Sequence, residues 1–200
     1  MEDKLKRLVE GNNKKNRAKW ALEAKRQGKK VIGVLDSYVP EEVIYAAGMV
    51  PWRVTGTWDT NVPLATAYRP PNSCTYCTHV LESLLRGELD FLDGVVFTNR
   101  DDDLVRLHDA WCDVGKTSFV HIMVIPHMVT EIAFGMMRKE ILKLKVALEQ
   151  FGGIRITEES LNDASNMYNK MRVDLTNMYD LRKKEIPALS GAEVLGITTT

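Results

Sequence analysis

Apolar and polar positions alternate along this chain in two different rhythms. Short β-branched runs are separated by longer stretches with helical spacing. The first run is "KKVIGVLDS" over residues 29 to 37, which predicts a buried strand. "VPEEVIYAAG" (39 to 48) follows as a helix, with Pro40 at its start, acids in its first turn and Gly48 at its end. "MVPWRVTG" (49 to 56) predicts a second strand, and Pro51 makes it irregular or an edge. Residues 57 to 73 lack periodicity and read as a long ordered loop. A helix then begins at "CTYCTHVLESLLRGELD", with Asn72 or Ser73 as its N-cap. "DGVVFTN" (93 to 99) and "SFVHIMVIPH" (118 to 127) predict two more strands, with a helix over 101 to 115 between them. Two long patterned helices close the pattern, 130 to 153 and 157 to 185, the second capped by Thr157.

Strands alternating with helices of this length predict an α/β fold, a Rossmann-like parallel sheet flanked by helices. Additional helices lie at both ends. The N-terminal one covers residues 1 to 28, with Leu5, Leu8, Val9 and Trp20 as its apolar positions. The sheet domain covers 29 to 128 and carries the cysteines. Residues 129 to 200 form a helical segment that covers the sheet or reaches another subunit. "ALSGAEVLGITTT" reads as the start of a new element capped by Ser190, and so as a lead into a further C-terminal domain.

Composition changes this picture little. Lys+Arg and Asp+Glu stand at 27 each, so no overall field favours nucleic acid or an acidic membrane. The first thirty residues hold eleven Lys or Arg against four acids, which reads as a solvated helix face. No apolar run is long enough to span a bilayer, and "MEDKLKRLVEGNNKKN" is no signal peptide, so the expected location is cytoplasmic. "DVGKTS" (113 to 118) is not a P-loop: Ala110 stands where glycine is needed, and the motif follows a helix and enters a strand. Met136, Met137, Met167, Met171 and Met178 read as core filler at helical spacing. His121, inside an apolar strand, reads as a satisfied core histidine, and His127 as a strand end with a weaker claim to face a ligand.

The chemistry lies with three cysteines. Cys74 and Cys77 open a helix, and Cys112 lies near the end of another. Both regions can gather on one edge of the sheet, where open α/β folds bind ligands. A disulfide framework does not suit so few cysteines. A thioredoxin-like dithiol would follow a strand directly, and here a loop precedes it. A zinc site can use Cys74, Cys77, His108 and Cys112, since His108 and Cys112 share one helix face. An iron–sulfur cluster on three thiolates would keep one iron open, and a helix N-terminus near Cys74 suits its negative charge. Spacing alone leaves zinc and iron–sulfur side by side. At the end of the first strand, Ser37 and Tyr38 can touch a substrate. Glu41 and Glu42 are first-turn acids, with Glu42 as a candidate acid or base beside Ser37. Arg100 of "TNRDDD" occupies the same edge and can meet a phosphate or a carboxylate.

A block P-E-E-x-x-Y-A-A-G (40 to 48) is followed by Cys74, thirteen residues before Gly87 of "GELDFLDGVV", and then by "HDAWCD". Over residues 30 to 125 this order resembles the 2-hydroxyacyl-CoA dehydratase and benzoyl-CoA reductase family. The resemblance implies stacked Rossmann-like domains and a [4Fe–4S] cluster on three cysteines. Cys74 and Cys112 match the first two, the third belongs to a C-terminal half, and Cys77 is an extra or alternative ligand. It implies an acyl-CoA or aromatic acyl-CoA substrate, a related subunit and an ATP-dependent iron–sulfur activator protein. The implied reaction is low-potential one-electron chemistry on the CoA thioester.

Overall fold

A computed structural model describes residues 14–70, 72–183, 185, 187 and 189–198, with the side chains of residues 14–17 left aside. Leu5, Leu8 and Val9, expected on the first helix, lie outside the described residues. The elements in chain order are α1 (Lys14–Arg26), β1 (Val31–Val34), α2 (Glu41–Ala46), β2 (Val50–Arg53), α3 (Pro63–Tyr68), α4 (Thr75–Leu85), β3 (Gly94–Thr98), α5 (Asp102–Val114), β4 (Phe119–Met123), α6 (Glu131–Gly152), α7 (Glu158–Asp180), a 3₁₀ turn (Leu181–Lys183) and α8 (Gly191–Thr198). The four strands form one parallel sheet in the order β2-β1-β3-β4. The α/β expectation holds, and β2 with its Pro51 lies on an edge, as a strand lacking one ladder donor must.

Each face of the sheet has its own apolar layer. Val31, Leu35, Val95 and Phe97 meet Leu81 of α4 and Leu104, Leu107 and Trp111 of α5. Ile32, Val34, Val96 and Met123 meet Ile44 of α2 and Leu144 and Leu148 of α6. Strands covered on both faces are apolar throughout, which is why β1 and β3 read as unbroken β-branched runs. Each large side chain buried here contributes roughly 1.5–3 kcal/mol. Helix α1 docks through Lys25, whose Nζ donates to the Phe91 carbonyl at 2.7 Å and pairs with Asp93 at 3.0 Å. Asp93 in turn accepts from the Val31 amide at 2.7 Å, fixing the start of β1.

The helix ends mostly follow their sequence signals. Asp101 and Thr130 accept from the amides of Leu104 and Ala133. Thr157 forms a capping box with Ser160. Ser190 and Glu193 cap each other at the start of α8. Helix α6 ends at Gly153 with φ 63°, a left-handed position that suits glycine.

Four expectations need correction. The loop 57 to 73 contains α3, whose Ala65 amide is held at 2.8 Å by Glu82, a side chain far along the sequence. Helix α4 is capped neither by Asn72 nor by Ser73: its N-cap is Cys74, which makes no side-chain cap bond. His121 is not satisfied, because its Nε2 is buried without a hydrogen-bond partner among the described residues. It stacks on Phe119 on the outer strand, and burial lowers its pKa. The methionines are only partly core. Met137 packs beneath α6, but Met136, Met167 and Met171 stay about half exposed. Met136 lies on an outward face of α6, and Met167 and Met171 lie on α7, which packs mainly on α2. Tyr168 there meets Tyr45 edge-on at 6.3 Å. Met167 and Met171 line a groove of about 470 Å³ beside Pro51.

Candidate functional site

Parallel strands collect their loops at the carboxyl ends, and the cavity of interest lies there. It measures about 650 Å³ and runs from the end of β1 to the end of β2, under the N-terminus of α4. Asp36, the second residue beyond β1, is 4% exposed and forms its floor. The Thr98 hydroxyl donates to one carboxylate oxygen of Asp36, and the Tyr38 amide donates to the other at 3.3 Å. Arg100 reaches the second oxygen at 3.5 Å and holds Asp101 at 2.8 Å. A buried carboxylate persists because it is hydrogen-bonded and faces a guanidinium. The turns after β1 and β3 are thereby tied together beneath the cavity.

The wall toward β2 is equally tied. Arg53 donates to the Ser37 hydroxyl at 3.3 Å and pairs with Glu41 at 2.6 Å. The Tyr76 hydroxyl donates to the carbonyls of Val54 (3.0 Å) and Leu35 (3.3 Å), stapling the ends of the two strands. Its pKa is raised, first by burial and then by the neighbouring thiol of Cys77. The Thr57 amide donates to the His79 carbonyl, and His79 Nδ1 lies 2.7 Å from the Thr57 carbonyl. This seam closes because residue 56 is glycine: a Cβ there would sit 2.5 Å from the Cβ of His79. Beyond the seam, Trp58 stands 84% exposed at the cavity rim.

The loop carrying Trp58 is held from below. Glu82 is fully buried, accepts from the Ala65 amide and pairs with Arg86 at 2.8 Å. Arg86 also binds Asp59 and donates to the Asn61 carbonyl at 3.3 Å. Arg69, itself buried, pairs with Asp103 on α5.

The fold treats the three cysteines differently. Cys74 is exposed and lines the cavity at the N-cap of α4. Cys77 is 1% exposed and belongs to the apolar layer between α4 and the sheet. Burial, then the adjacent Cys74, pushes its thiol up to about 12. Cys112 is exposed on α5, with its Sγ 3.7 Å from His108 Nε2, as their i, i+4 spacing requires. Burial and the Asp109 carboxylate raise the Cys112 pKa as well. Among the described residues, no three His, Cys, Asp or Glu side chains gather as a metal site. The zinc set of Cys74, Cys77, His108 and Cys112 is therefore not assembled, although its His108–Cys112 half is. A three-thiolate cluster site is not complete within these residues either: two thiols are exposed and the third is core.

Of the other sequence candidates, Ser37 and Arg100 line the cavity, as expected from their place after the strands. Glu42 does not. It pairs with Arg172 of α7 and ties α2 to that helix. His127 is exposed and away from the cavity lining. Sequence reasoning missed the wall residues Arg53, Tyr76 and His79 and, on the floor, Asp36. The signal for Asp36 was an acid directly ending an apolar strand.

Similarity to known proteins fits this architecture. The 2-hydroxyglutaryl-CoA dehydratase, D-component family matches residues 36–200. The chain is 35% identical over 176 residues to the (R)-2-hydroxyglutaryl-CoA dehydratase subunit beta of Acidaminococcus fermentans, covering 86% of this chain and 46% of that protein. It is 34% identical over 164 residues to the (R)-phenyllactyl-CoA dehydratase beta subunit of Clostridium sporogenes, covering 78% and 42%. A benzoyl-CoA reductase subunit of Thauera aromatica is 29% identical over 168 residues, covering 83% and 44%. The chain thus spans less than half the length of these curated relatives. By sequence match, it belongs to the 2-hydroxyglutaryl-CoA dehydratase, D-component family.

Proposed function

We propose that the chain is part of an iron–sulfur subunit of a 2-hydroxyacyl-CoA dehydratase or benzoyl-CoA reductase type enzyme. The observation that carries this reading is the cavity at the carboxyl ends of β1 and β2, with the Cys74 thiol on its wall and Asp36, Ser37 and Arg100 on its floor. The relatives' names supply the substrate class, a CoA thioester, and the expectation of a partner subunit. Cys74 and Cys112 are the ligands this chain would offer to a [4Fe–4S] cluster. A third would come from outside the described residues, because Cys77 is packed in the core. When bound, such a cluster supplies low-potential single electrons, delivered by an ATP-dependent activator protein.

The chain's own residues do the positioning. Asp36 holds Arg100 in place, so its guanidinium faces the cavity from a fixed base. Ser37, held by Arg53, presents a hydroxyl at the cavity edge. Tyr76 keeps the strand ends together, and Trp58 stands at the cavity rim. No helix among the described residues is long and apolar enough to cross a membrane, and we place the working protein in the cytoplasm.

The test is anaerobic purification of the whole enzyme, so that the third ligand is present, with iron, sulfide and zinc counted per subunit. Expected are roughly four irons with matching sulfide, lost in Cys74→Ala and in Cys112→Ala but kept in Cys77→Ala. One zinc without iron, or no metal at all, would sink the redox reading for this chain.

A further inference from the structure

Cys77 is left over by the family match and is unsuited to a metal by its burial. Its nearest chemistry is Cys74. The two occupy the N-cap and third positions of α4. In a capping box the side chain at each of these positions reaches the backbone of the other, so both lie on one side of the first turn. Cys74 makes no cap bond that would hold its thiol elsewhere. Three residues apart on one helical turn, the two cysteines have Cα atoms within the span that a disulfide bridges. One is open to the cavity and the other is closed in the core. This is the arrangement of an attacking and a resolving cysteine at a helix N-terminus.

We infer that Cys74 and Cys77 form a reversible disulfide, a modification site that takes Cys74 out of service. The oxidant is a peroxide or a small disulfide. With peroxide, the exposed Cys74 sulfur attacks an oxygen, the O–O bond breaks, and a sulfenic acid and one water result. The Cys77 sulfur then attacks Cys74 Sγ. The S–S bond forms, the S–O bond breaks, and the hydroxyl leaves as a second water with the Cys77 proton. Two thiols have lost two electrons and two protons, and the peroxide has gained them. A small dithiol reverses the step. Cys77 also shields Cys74 from the sulfinic acid, which is not recovered by thiols. The chemistry depends on the two sulfurs alone. Its consequence, a cavity deprived of its thiol, rests on the functional reading above.

The experiment uses the full chain, metal-free and fully reduced, treated with one equivalent of hydrogen peroxide. It is then denatured, alkylated and digested for mass spectrometry. Expected is one alkyl adduct, on Cys112, in place of the three that the reduced chain takes up. The peptide holding Cys74 and Cys77 should be lighter by two hydrogens, and dithiothreitol should restore all adducts. Cys74→Ser should leave Cys77 alkylated in full. This variant changes an exposed position, so it keeps the test valid even where Cys77→Ser fails to fold. Cys77 still alkylated after oxidation, a sulfinic acid at Cys74, or a Cys74–Cys112 or interchain bridge would each overturn the proposal. Because no metal is present, failure here leaves the cluster reading standing, and a failed iron count leaves the disulfide standing.

Discussion

Asp36 and Glu82 are the two most deeply buried carboxylates among the described residues, and they do different work. Glu82 lies inside α4, fully out of solvent, and its partners are one backbone amide and one arginine. Asp36 lies just past β1, nearly as buried, and its partners are a hydroxyl, an amide and an arginine that borders a cavity. Glu82 organises a loop that has little apolar surface of its own. Asp36 organises a floor against which a ligand can rest. Equal burial therefore says little about role. What separates the two is the partner's other side: Arg86 continues into the loop through Asp59 and Asn61, whereas Arg100 turns to Asp101 and borders the cavity.

The largest expected effect is at Glu82. Glu82→Ala leaves the Ala65 amide and the Arg86 guanidinium without their acceptor, and breaking such a buried pair costs about 3 kcal/mol. Urea unfolding should show the loss, and Trp58 fluorescence should report a loosened loop. Asp36→Asn comes next, at about 1–2 kcal/mol, since the amide keeps one acceptor and loses the charge that faces Arg100. If Asp36→Asn unfolds the chain more readily than Glu82→Ala, the assignment of architecture to one and floor to the other is reversed.

The smallest effect sharpens the comparison with an acid at the surface. Burial alone would raise the pKa of Asp101, but the Leu104 amide and the Arg100 guanidinium hold it below the ordinary 3.8. The unfolded chain therefore takes up this proton first, so the contribution is present above the ordinary carboxylate pKa and fades as pH falls through the folded value. Asp101→Ala should cost about 1 kcal/mol at pH 7 as a lost helix cap. The gap between variant and parent should close in unfolding curves taken at successively lower pH.

Much of the fold was legible because strands and helices announce themselves by period. β1 and β3 are continuous apolar runs, Pro51 marks an edge, and Thr157 and Ser190 cap where their spacing says. The short α3 was not legible as a loop element, because a side chain seventeen residues away holds its Ala65 amide. Pro63 at its first turn was the one local hint. The cysteines show the same limit from the other direction. Cys77, Leu81 and Leu84 are spaced as a core stripe, and that pattern could have placed Cys77 inside before any metal was considered. Ser37 was found by its place after a strand. Glu42 was misplaced because a first-turn acid carries no sign of which neighbouring helix will supply its arginine.

Pro51 has one more consequence. The outer edge of β2 is where a fifth strand from another molecule would zip on, and four residues are all that edge offers. One of them has no amide hydrogen to give. A stray strand that pairs there meets a gap in the middle of its ladder, so the sheet resists growing into an aggregate along that edge.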